Sequence, residues 1–434
     1  MTTTAHLSRS LLPTVSSRRA PSFAERLARS AVLSSLRGIS DGCLEISDGE
    51  VVTRLGQGAT TVKLVIHDPA TWSEVAAGGT VGAGAAYIAG MWSCDDPVAV
   101  ARIFVRNRAA MLAMEGGVAK LLAPLRRAWH WSRRNTKAGS RANIAAHYDL
   151  GNEFFALWLD PTMTYSSAVF ATPDEALDLA QERKIDRLCQ KLELRFDDHL
   201  LEIGTGWGAF AIHAARTYGC RVTTATISQR QYEIASARVR ASGLESRIQV
   251  VLQDYRDLSG QYDKLVSVEM IEAVGHKYYA DYFAACARLL KPDGLMAIQA
   301  ITIAERHYRS ALKEVDFIQR YVFPGCCIPS QGALIAAMSR SSDLDVVEID
   351  DITPHYALTL ARWRSAFHAQ LPAVRALGFG DDFVRLWDFY LAYCEGGFSE
   401  RVISCVQMTI GKSGWRSAAQ RQRDAAPRQQ AEGA

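Results

Sequence analysis

The sequence lacks several features that would place it among membrane-spanning, secreted or metal-binding proteins. It has no uninterrupted apolar run of about 18 or more residues, so we expect no segment to cross a membrane. Residues 1–21 lack the apolar region of a secretory signal and are predicted to be disordered. The nine cysteines form no Cys-x-x-Cys pair, and Cys326 and Cys327 are adjacent, which suits neither zinc nor an ordinary disulfide. We therefore expect no metal site, and reduced thiols in a cytoplasmic protein.

A strong excess of charge of one sign is also absent. The net charge is +3 over 434 residues, so attraction to an anionic surface must come from local clusters. The basic linker, residues 126–142, has six Lys and Arg residues, no acid, and Trp129 and Trp131 among them. Trp and Arg together suit a membrane interface. Nucleic-acid phosphates are a competing partner, and a merely solvated linker is a third interpretation.

A small α+β domain is predicted at residues 22–125. Ser22 and Glu25 form a capping-box pattern at the start of a helix over 22–38. That helix has a basic amphipathic face that suits a lipid surface, although packing against the protein body is favoured. Residues 43–46 and 51–53 predict a hairpin around Asp48 and Gly49, and 61–66 a further strand. The glycines of 82–92 are attributed to close backbone packing. Lipid binding or oligomerisation is the role expected for this domain.

From residue 143 to 412 the pattern changes to alternating strands and helices. Strands are predicted at 200–203, 221–226, 248–252, 264–269, 295–301, 346–349 and 402–410, with helices between the first five. This pattern predicts a doubly wound α/β fold whose ligand lies at the carboxyl ends of the strands. Two aromatic-rich helical insertions are expected near 304–320 and 358–396; most of their aromatics should be core, and some could line an acyl pocket. Residues 413–434 are predicted to form a disordered tail.

One stretch of this region carries a ligand-binding pattern. The apolar run at 199–203 contains Glu202, and Gly204, Gly206 and Gly208 follow it immediately before a helix. A strand, a glycine turn and a helix N-terminus place backbone N–H groups where a ligand can approach closely. The spacing is GxGxG rather than the GxGxxG of dinucleotide folds. It looks like the first motif of S-adenosylmethionine (SAM) methyltransferases; a tight turn without a ligand is the simpler alternative.

Several further segments agree with one family. They are residues 146–155, 163–166, 226–229, 272–276 and 390–398. Together with the glycine turn they closely resemble cyclopropane-fatty-acyl-phospholipid synthases and mycolic acid cyclopropane synthases over about residues 143–412. The resemblance implies a seven-stranded Rossmann-like SAM methyltransferase domain. It also implies a homodimer that acts on membrane phospholipid acyl chains, peripherally bound to the inner, anionic face of the membrane, and no nucleic-acid partner.

The resemblance also implies a reaction. The alkene of an acyl chain attacks the methyl group of SAM, a carbocation forms, a proton leaves, and a cyclopropane ring closes. A bound bicarbonate ion takes the proton in that family. Two alternatives stay open: a methyltransferase of the same fold with a soluble or nucleic-acid substrate, and a non-catalytic lipid-binding protein.

Cofactor-binding residues follow by matching the family motifs. They are Tyr165, Ser166, Glu202, Gly204, Gly206, Gly208, Thr226, Ile227, Gln231, Asp254 and Tyr255. In the wider methyltransferase class an acid ends the second strand and binds the ribose; Thr226 and Ile227 stand there instead, which matches the family. Core packing is the alternative role for Tyr255.

Catalytic residues are expected at Glu272, Tyr356 and Ile301, with Ser167 and Gln299 at two positions that depart from the family. Glu272 is the expected anchor of bicarbonate and offsets the positive charge of the reacting centre. Ser167 replaces the usual cysteine and can still donate to bicarbonate. Gln299 replaces the usual histidine and cannot titrate near neutral pH. These changes leave the product open between a ring, a methyl branch and a methylene group.

Overall fold

The computed structural model describes residues 19–114, 150–417 and 420. The basic linker at 126–142, the first residues of the 146–155 motif, residues 1–18 and almost all of the tail after 417 lie outside the described residues. In the part of the chain that is described, no helix is both long and apolar enough to cross a membrane.

The N-terminal α+β unit is built on a four-stranded sheet. Its elements are α1 (Phe23–Leu36), β1 (Gly42–Asp48), β2 (Val51–Gln57), β3 (Thr61–Ile66), α2 (Ala70–Ile88), β4 (Trp92–Cys94), α3 (Pro97–Arg106) and α4 (Arg108–Met114). The predicted capping box is present at Ser22 and Glu25. The predicted hairpin is also confirmed, since β1 pairs antiparallel with β2, in the sheet order β2-β1-β3-β4.

Close packing explains Gly82 and Gly84 of α2. A Cβ atom on Gly82 would lie 2.1 Å from the carbonyl oxygen of Glu74, and one on Gly84 would lie 2.5 Å from the ring of Phe317. Phe317 belongs to the second part of the chain and its ring packs edge-on against Phe389 at 4.9 Å. Gly84 is therefore a point at which the N-terminal unit docks on the rest of the protein.

The C-terminal part contains the expected seven-stranded sheet. Its strands are β5 (His199–Ile203), β6 (Arg221–Thr226), β7 (Ile248–Leu252), β8 (Tyr262–Val268), β9 (Leu290–Ile303), β10 (Leu344–Asp351) and β11 (Ile403–Lys412). They occur in the order β10-β11-β9-β8-β5-β6-β7. The central strands are parallel, while β11 runs antiparallel to both neighbours. Every strand predicted from the sequence in this region is present.

Two helices of this part precede β5, and the others lie between successive strands. They are α5 (Asn152–Ala156), α6 (Leu177–Lys191), α7 (Ala209–Tyr218), α8 (Gln229–Ala241), α9 (Tyr279–Leu289), α10 (Glu305–Ala311), α11 (Phe317–Tyr321), α12 (Gln331–Ser341), α13 (Thr353–Ala369), α14 (Leu371–Ala376) and α15 (Asp381–Ser399). The prediction of a helix between β7 and β8 is wrong. The short connection holds only a 3-10 turn, Tyr255–Asp257, and Asp254 caps the start of this turn by accepting from the Arg256 N–H.

The two predicted insertions are helical but broken. The first is split into α10 and α11, because the Asp316 side chain accepts from the Gln319 N–H and starts a new helix. The second consists of three helices. The breaks are at Gln370, shortly before Pro372, and around Gly378. As expected, their aromatics are largely core: Trp363, Phe367 and Trp387 are buried. The first residues after β11 contact the start of β9, since the Gly414 N–H donates to the Pro292 carbonyl.

Hydrogen bonds join the N-terminal unit to α15. The Tyr87 hydroxyl donates to Asp388, Arg385 donates to the Ile88 carbonyl, and Arg102 pairs with Glu400 at 2.7 Å. Asp388 also accepts from Arg364 and contacts His368, so its buried charge has several partners. The N-terminal unit is therefore joined to the rest of the protein by these polar contacts as well as by the contact of Gly84 with the Phe317 ring.

We expect Gly84→Ala to destabilise the protein by about 1–3 kcal/mol through overpacking against the fixed ring of Phe317. The matched control is Gly78→Ala, just before the break of α2 at Gly79 (φ 57°), where an added Cβ meets no atom within 4 Å. It should leave the stability unchanged or raise it slightly, since alanine restricts the unfolded chain more than glycine does. Thermal unfolding of both variants tests this; equal shifts would contradict the docking role of Gly84.

Candidate active site

A single large cavity opens at the carboxyl ends of the parallel strands. Its volume is about 900 Å³ and its lining comes from both parts of the chain. The glycine turn, the ends of β6 and β8, Asp254 after β7, and Glu269 and Glu272 after β8 form one wall. Residues of α3, α4, α10 and α15 form another, mostly apolar wall. A doubly wound sheet is expected to bind its ligand at this edge.

The glycine turn has the conformation that its sequence requires. Gly204, Gly206 and Gly208 have φ values of 103°, 52° and 86°, a region that side chains other than glycine rarely adopt. Helix α7 then begins without a side-chain cap. Its first N–H groups are thus available to a ligand. Gly204 and Gly206 line the cavity, whereas Gly208 does not and instead packs against Ala235.

Glu202 is buried at the end of β5 and lines the cavity. It accepts from the Thr224 hydroxyl at 2.6 Å. Burial raises the pKa of Glu202 to about 8, and the bond from Thr224 and the charge of Lys184 oppose that shift. The side chain is therefore largely protonated at neutral pH in the ligand-free protein.

The end of β6 offers a hydroxyl and an amide instead of an acid. The Thr226 hydroxyl donates to the side-chain oxygen of Gln231 at 2.9 Å, and both side chains are buried. Ile227 and these two residues line the cavity together. The predicted Thr226, Ile227 and Gln231 group is thus assembled at one place, with the amide nitrogen of Gln231 left as a donor.

Asp254 and Tyr255 also line the cavity. Asp254 accepts from the backbone N–H and the guanidinium of Arg256, which fixes its carboxylate. The Tyr255 ring packs edge-on against Tyr282 at 5.4 Å. Tyr255 consequently does both things that the sequence left open: one part packs in the core and another borders the cavity.

Tyr165 and Ser166 line the same cavity as the glycine turn. The hydroxyls of Tyr165 and Tyr390 are 2.8 Å apart. Ser166 accepts from the ammonium group of Lys184 at 2.6 Å. Lys184 is only 1% exposed, and burial lowers its pKa to about 8 although Glu269 and Asp160 favour the charged form. Sequence reasoning missed Lys184; the signal was a lysine among the helical-period positions 180, 181, 185 and 188 that α6 buries.

Glu272 has one oxygen paired and one free of partners. Its Oε1 accepts from the backbone N–H of Ile301, which was expected to contact the bound anion instead, and its buried Oε2 has no hydrogen-bond partner. Burial and the nearby charge of Glu269 raise the pKa of Glu272 to about 8. A buried acid with an unused oxygen, bordering a cavity, is poised to contact a bound group.

Ser167, Gln299 and Tyr356 converge on a residue that the sequence analysis missed, Glu269. Its Oε1 accepts from the Ser167 N–H at 2.9 Å and from the Gln299 amide at 2.8 Å, and its Oε2 accepts from the Tyr356 hydroxyl at 2.7 Å. Glu269 lines the cavity; Ser167 and Gln299 do not. The Ser167 hydroxyl, expected to face a bound anion, donates instead to the Ala168 carbonyl. The available signal was an acid at the end of β8, at the ligand-binding edge.

The adjacent cysteines border the same cavity without chemical activation. Cys326 and Cys327 both line it. Burial raises the pKa of each thiol, so the thiolate form is suppressed. No catalytic role follows for either residue.

Comparison with known proteins agrees with this geometry. A family model described as mycolic acid cyclopropane synthetase matches residues 135–408. The chain belongs to this family. It is 39% identical over 370 residues to "Tuberculostearic acid methyltransferase UfaA1" of Mycobacterium tuberculosis, covering 81% of this chain and 83% of that protein. It is 32% identical over 377 residues to "Cyclopropane-fatty-acyl-phospholipid synthase" of Escherichia coli K12, covering 84% and 92%.

Solved structures extend the comparison to the fold. "Crystal Structure of mycolic acid cyclopropane synthase CmaA1 complexed with SAH and CTAB" matches with a TM-score of 0.59 and 32% identity, over 63% of this chain and 98% of that one. Coclaurine N-methyltransferase, at 21% identity and a TM-score of 0.53, shows the fold alone. This member of the cyclopropane synthase family is a SAM-dependent methyltransferase, and its glycine turn, Thr226 and Gln231 fit that cofactor.

We expect the ligand-free protein to lose stability as pH rises from about 5 to about 8, in part through Glu202. In this range the unfolded carboxyl has lost its proton while the folded one, with a pKa of about 8, keeps it. Glu202→Gln removes this contribution and leaves that of Glu272. The variant should therefore gain in unfolding temperature relative to wild type as pH rises. Exposed Glu245→Gln is the control; a pH-independent difference for Glu202→Gln would contradict the assignment.

Proposed function

We propose that the protein transfers a carbon from SAM to the double bond of an unsaturated phospholipid acyl chain. One observation carries this proposal. One continuous cavity connects the SAM-type glycine turn, the buried carboxyl groups of Glu202 and Glu272, and an apolar wall. SAM supplies the electrophilic methyl group and leaves as S-adenosylhomocysteine.

Residues already described would hold the cofactor. The turn N–H groups after Gly204 suit its carboxylate, since helix N-termini favour anions. Thr226 and Gln231 offer polar groups to the ribose, and Asp254 and Tyr255 border the place for adenine.

An acyl chain requires a long apolar surface, and the cavity has one. Its apolar lining includes Val100, Phe104, Val105, Met111, Ile318, Phe389, Tyr393 and Phe398. These residues come from the N-terminal unit and from α11 and α15. The proposed lipid-binding role of the N-terminal unit is therefore to complete the acyl channel.

The reacting alkene carbon becomes a carbocation when it takes the methyl group. Tyr356 and Phe398 are stacked with ring centroids 4.1 Å apart, and both line the cavity. Aromatic faces stabilise a cation by their π electrons, and an apolar wall excludes water that would trap it. The same wall therefore binds the substrate and protects its intermediate.

The bicarbonate ion implied by the family resemblance does not fit these residues. The Ser167 N–H, the Gln299 amide and the Tyr356 hydroxyl are already bound to Glu269, and the Ile301 N–H to Glu272. Apart from the unused oxygen of Glu272, no group of this set remains free for a second anion, which would also lie beside Glu269. We derive no step through bicarbonate.

The product depends on whether a hydride shift precedes the loss of the proton. Loss from the transferred methyl with ring closure gives a cyclopropane, as the sequence analysis expects. The alternative is a methylene group, formed after a hydride shift; the 39% identity with a tuberculostearic acid methyltransferase favours this one-carbon branch.

We expect unsaturated phospholipids incubated with the protein and SAM to gain the mass of CH₂, and with trideuteromethyl SAM to retain two deuterons. A ring and a methylene group both retain two, and ozonolysis separates them because only the methylene product is cleaved. Retention of three would indicate a methyl group that never lost hydrogen. Mass spectrometry of extracted lipids is the measurement. No labelled lipid, together with no SAM binding by calorimetry, would favour the non-catalytic alternative.

Peripheral attachment to the inner face of an anionic membrane, in the cytoplasm and as a homodimer, completes the proposal. The basic linker is the segment expected to make the contact. The protein should sediment with vesicles containing anionic lipid, less with zwitterionic vesicles, and less at high salt. Salt-sensitive binding to RNA without vesicle binding would favour the nucleic-acid alternative. Light scattering reports the oligomeric state.

A further inference from the structure

We propose that Glu269 is a built-in general base, and that its carboxylate does in this protein what a bound bicarbonate ion does elsewhere in the family. The inference rests on the proposed function, because it names the group that takes the proton from the carbocation. The residues expected to surround a bound anion surround the Glu269 side chain instead.

The Glu269 carboxyl group is the acceptor in each hydrogen bond that the structure shows for its oxygens. A backbone N–H, a primary amide and a phenol reach its two oxygens within 2.9 Å, and the Cys405 thiol lies 3.7 Å from Oε1. A protonated carboxyl would set its own O–H against one of these donors. The arrangement therefore uses the Glu269 carboxyl group as an acceptor on both of its oxygens.

The neighbouring acid is less suited to be the base. In the ligand-free protein, burial and then the charge of Glu269 raise the pKa of Glu272 to about 8, and no donor contacts its Oε2. The two side chains form a pair in which one holds a proton and the other accepts one. A carbocation makes its adjacent C–H bonds strongly acidic, so position matters more than base strength.

The backbone holds Glu269 in place at some conformational cost. Its φ is 48°, in the left-handed region that glycine adopts more readily. Its N–H donates to the Gln299 carbonyl at 2.7 Å, while Gln407 donates to the Gln299 side-chain oxygen and so aims the amide nitrogen at Glu269. Strained residues that surroundings fix in this way cluster at functional sites.

The proton-transfer step balances without another reactant. The alkene electron pair forms the bond to the SAM methyl carbon, the sulfur–carbon bond breaks, and the neighbouring carbon becomes cationic. The Glu269 carboxylate takes a proton from carbon, and the released electron pair closes the ring or forms the double bond. The protonated Glu269 then returns the proton to water after the product leaves, which restores the acceptor that its three donors face.

The first test uses the full-length protein in bicarbonate-depleted buffer, with and without added bicarbonate. Wild type should have the same kcat in both. Glu269→Gln should lose about 10²-fold or more in kcat, while its SAM affinity by calorimetry changes little. The control Glu245→Gln should match wild type. A wild-type rate that requires bicarbonate, or a Glu269→Gln variant with undiminished kcat, would overturn the inference.

The second test has a readout other than activity. Glu269→Gly suits the positive φ and leaves the three donors facing a space that a small carboxylate can enter. Formate or bicarbonate should raise its unfolding temperature in a saturable way and restore part of its kcat, with no such effect on wild type. An equal response of both proteins would count against the inference. If neither variant folds, the bicarbonate dependence of the wild type decides alone. If wild type forms no product in any buffer, the proposed function fails, and this thermal shift still tests the anion site.

Discussion

The carboxylate of Glu269 is the contact on which the site depends. It joins the segment before α6 through Ser167, strand β9 through Gln299, and helix α13 through Tyr356. Hydrogen bonds to a charged group contribute about 1.5–3 kcal/mol each, roughly twice a neutral bond. Strand β8, which ends beside Glu269, thus positions three walls of the cavity at once. The same contact that organises the site makes Glu269 hard to replace without structural consequences.

The electrostatics of the cavity depend on three acids and one buried lysine. Glu202, Glu269 and Glu272 all line it; Glu202, Glu272 and Lys184 are buried, and Glu269 is half-buried. Desolvation raises the pKa of Glu202 and of Glu272 to about 8 and favours their neutral forms, which cost less to bury than two full charges. A sulfonium cofactor brings a positive charge into this environment and would favour deprotonation of the same groups. Cofactor affinity and the protonation state of the wall are therefore linked.

Features set by local sequence could be predicted, and features set by distant contacts could not. Apolar runs located all seven strands, and the glycine spacing located the turn with its positive φ angles. Glu269 and Lys184 were missed, because a single acid at a strand end or a lysine on a helix resembles a surface residue until its partners are known. Ser167 is 102 positions from Glu269 in the chain, and no local pattern records that bond. The breaks in the insertions were missed for the opposite reason: caps at Asp316 override an otherwise helical composition.

The division of the cavity wall between two parts of the chain has a consequence for how such a protein can diversify. The reacting groups lie on the sheet edge, whereas much of the far apolar wall lies on α3 and α4 of the N-terminal unit. Under the proposed function the far wall acts as a ruler, because the depth to which a chain enters decides which of its carbons reaches the chemistry. Substitutions at Phe104 or Met111 can then move the site of modification along the chain without touching the reacting groups. Position and chemistry become separately adjustable properties of one fold.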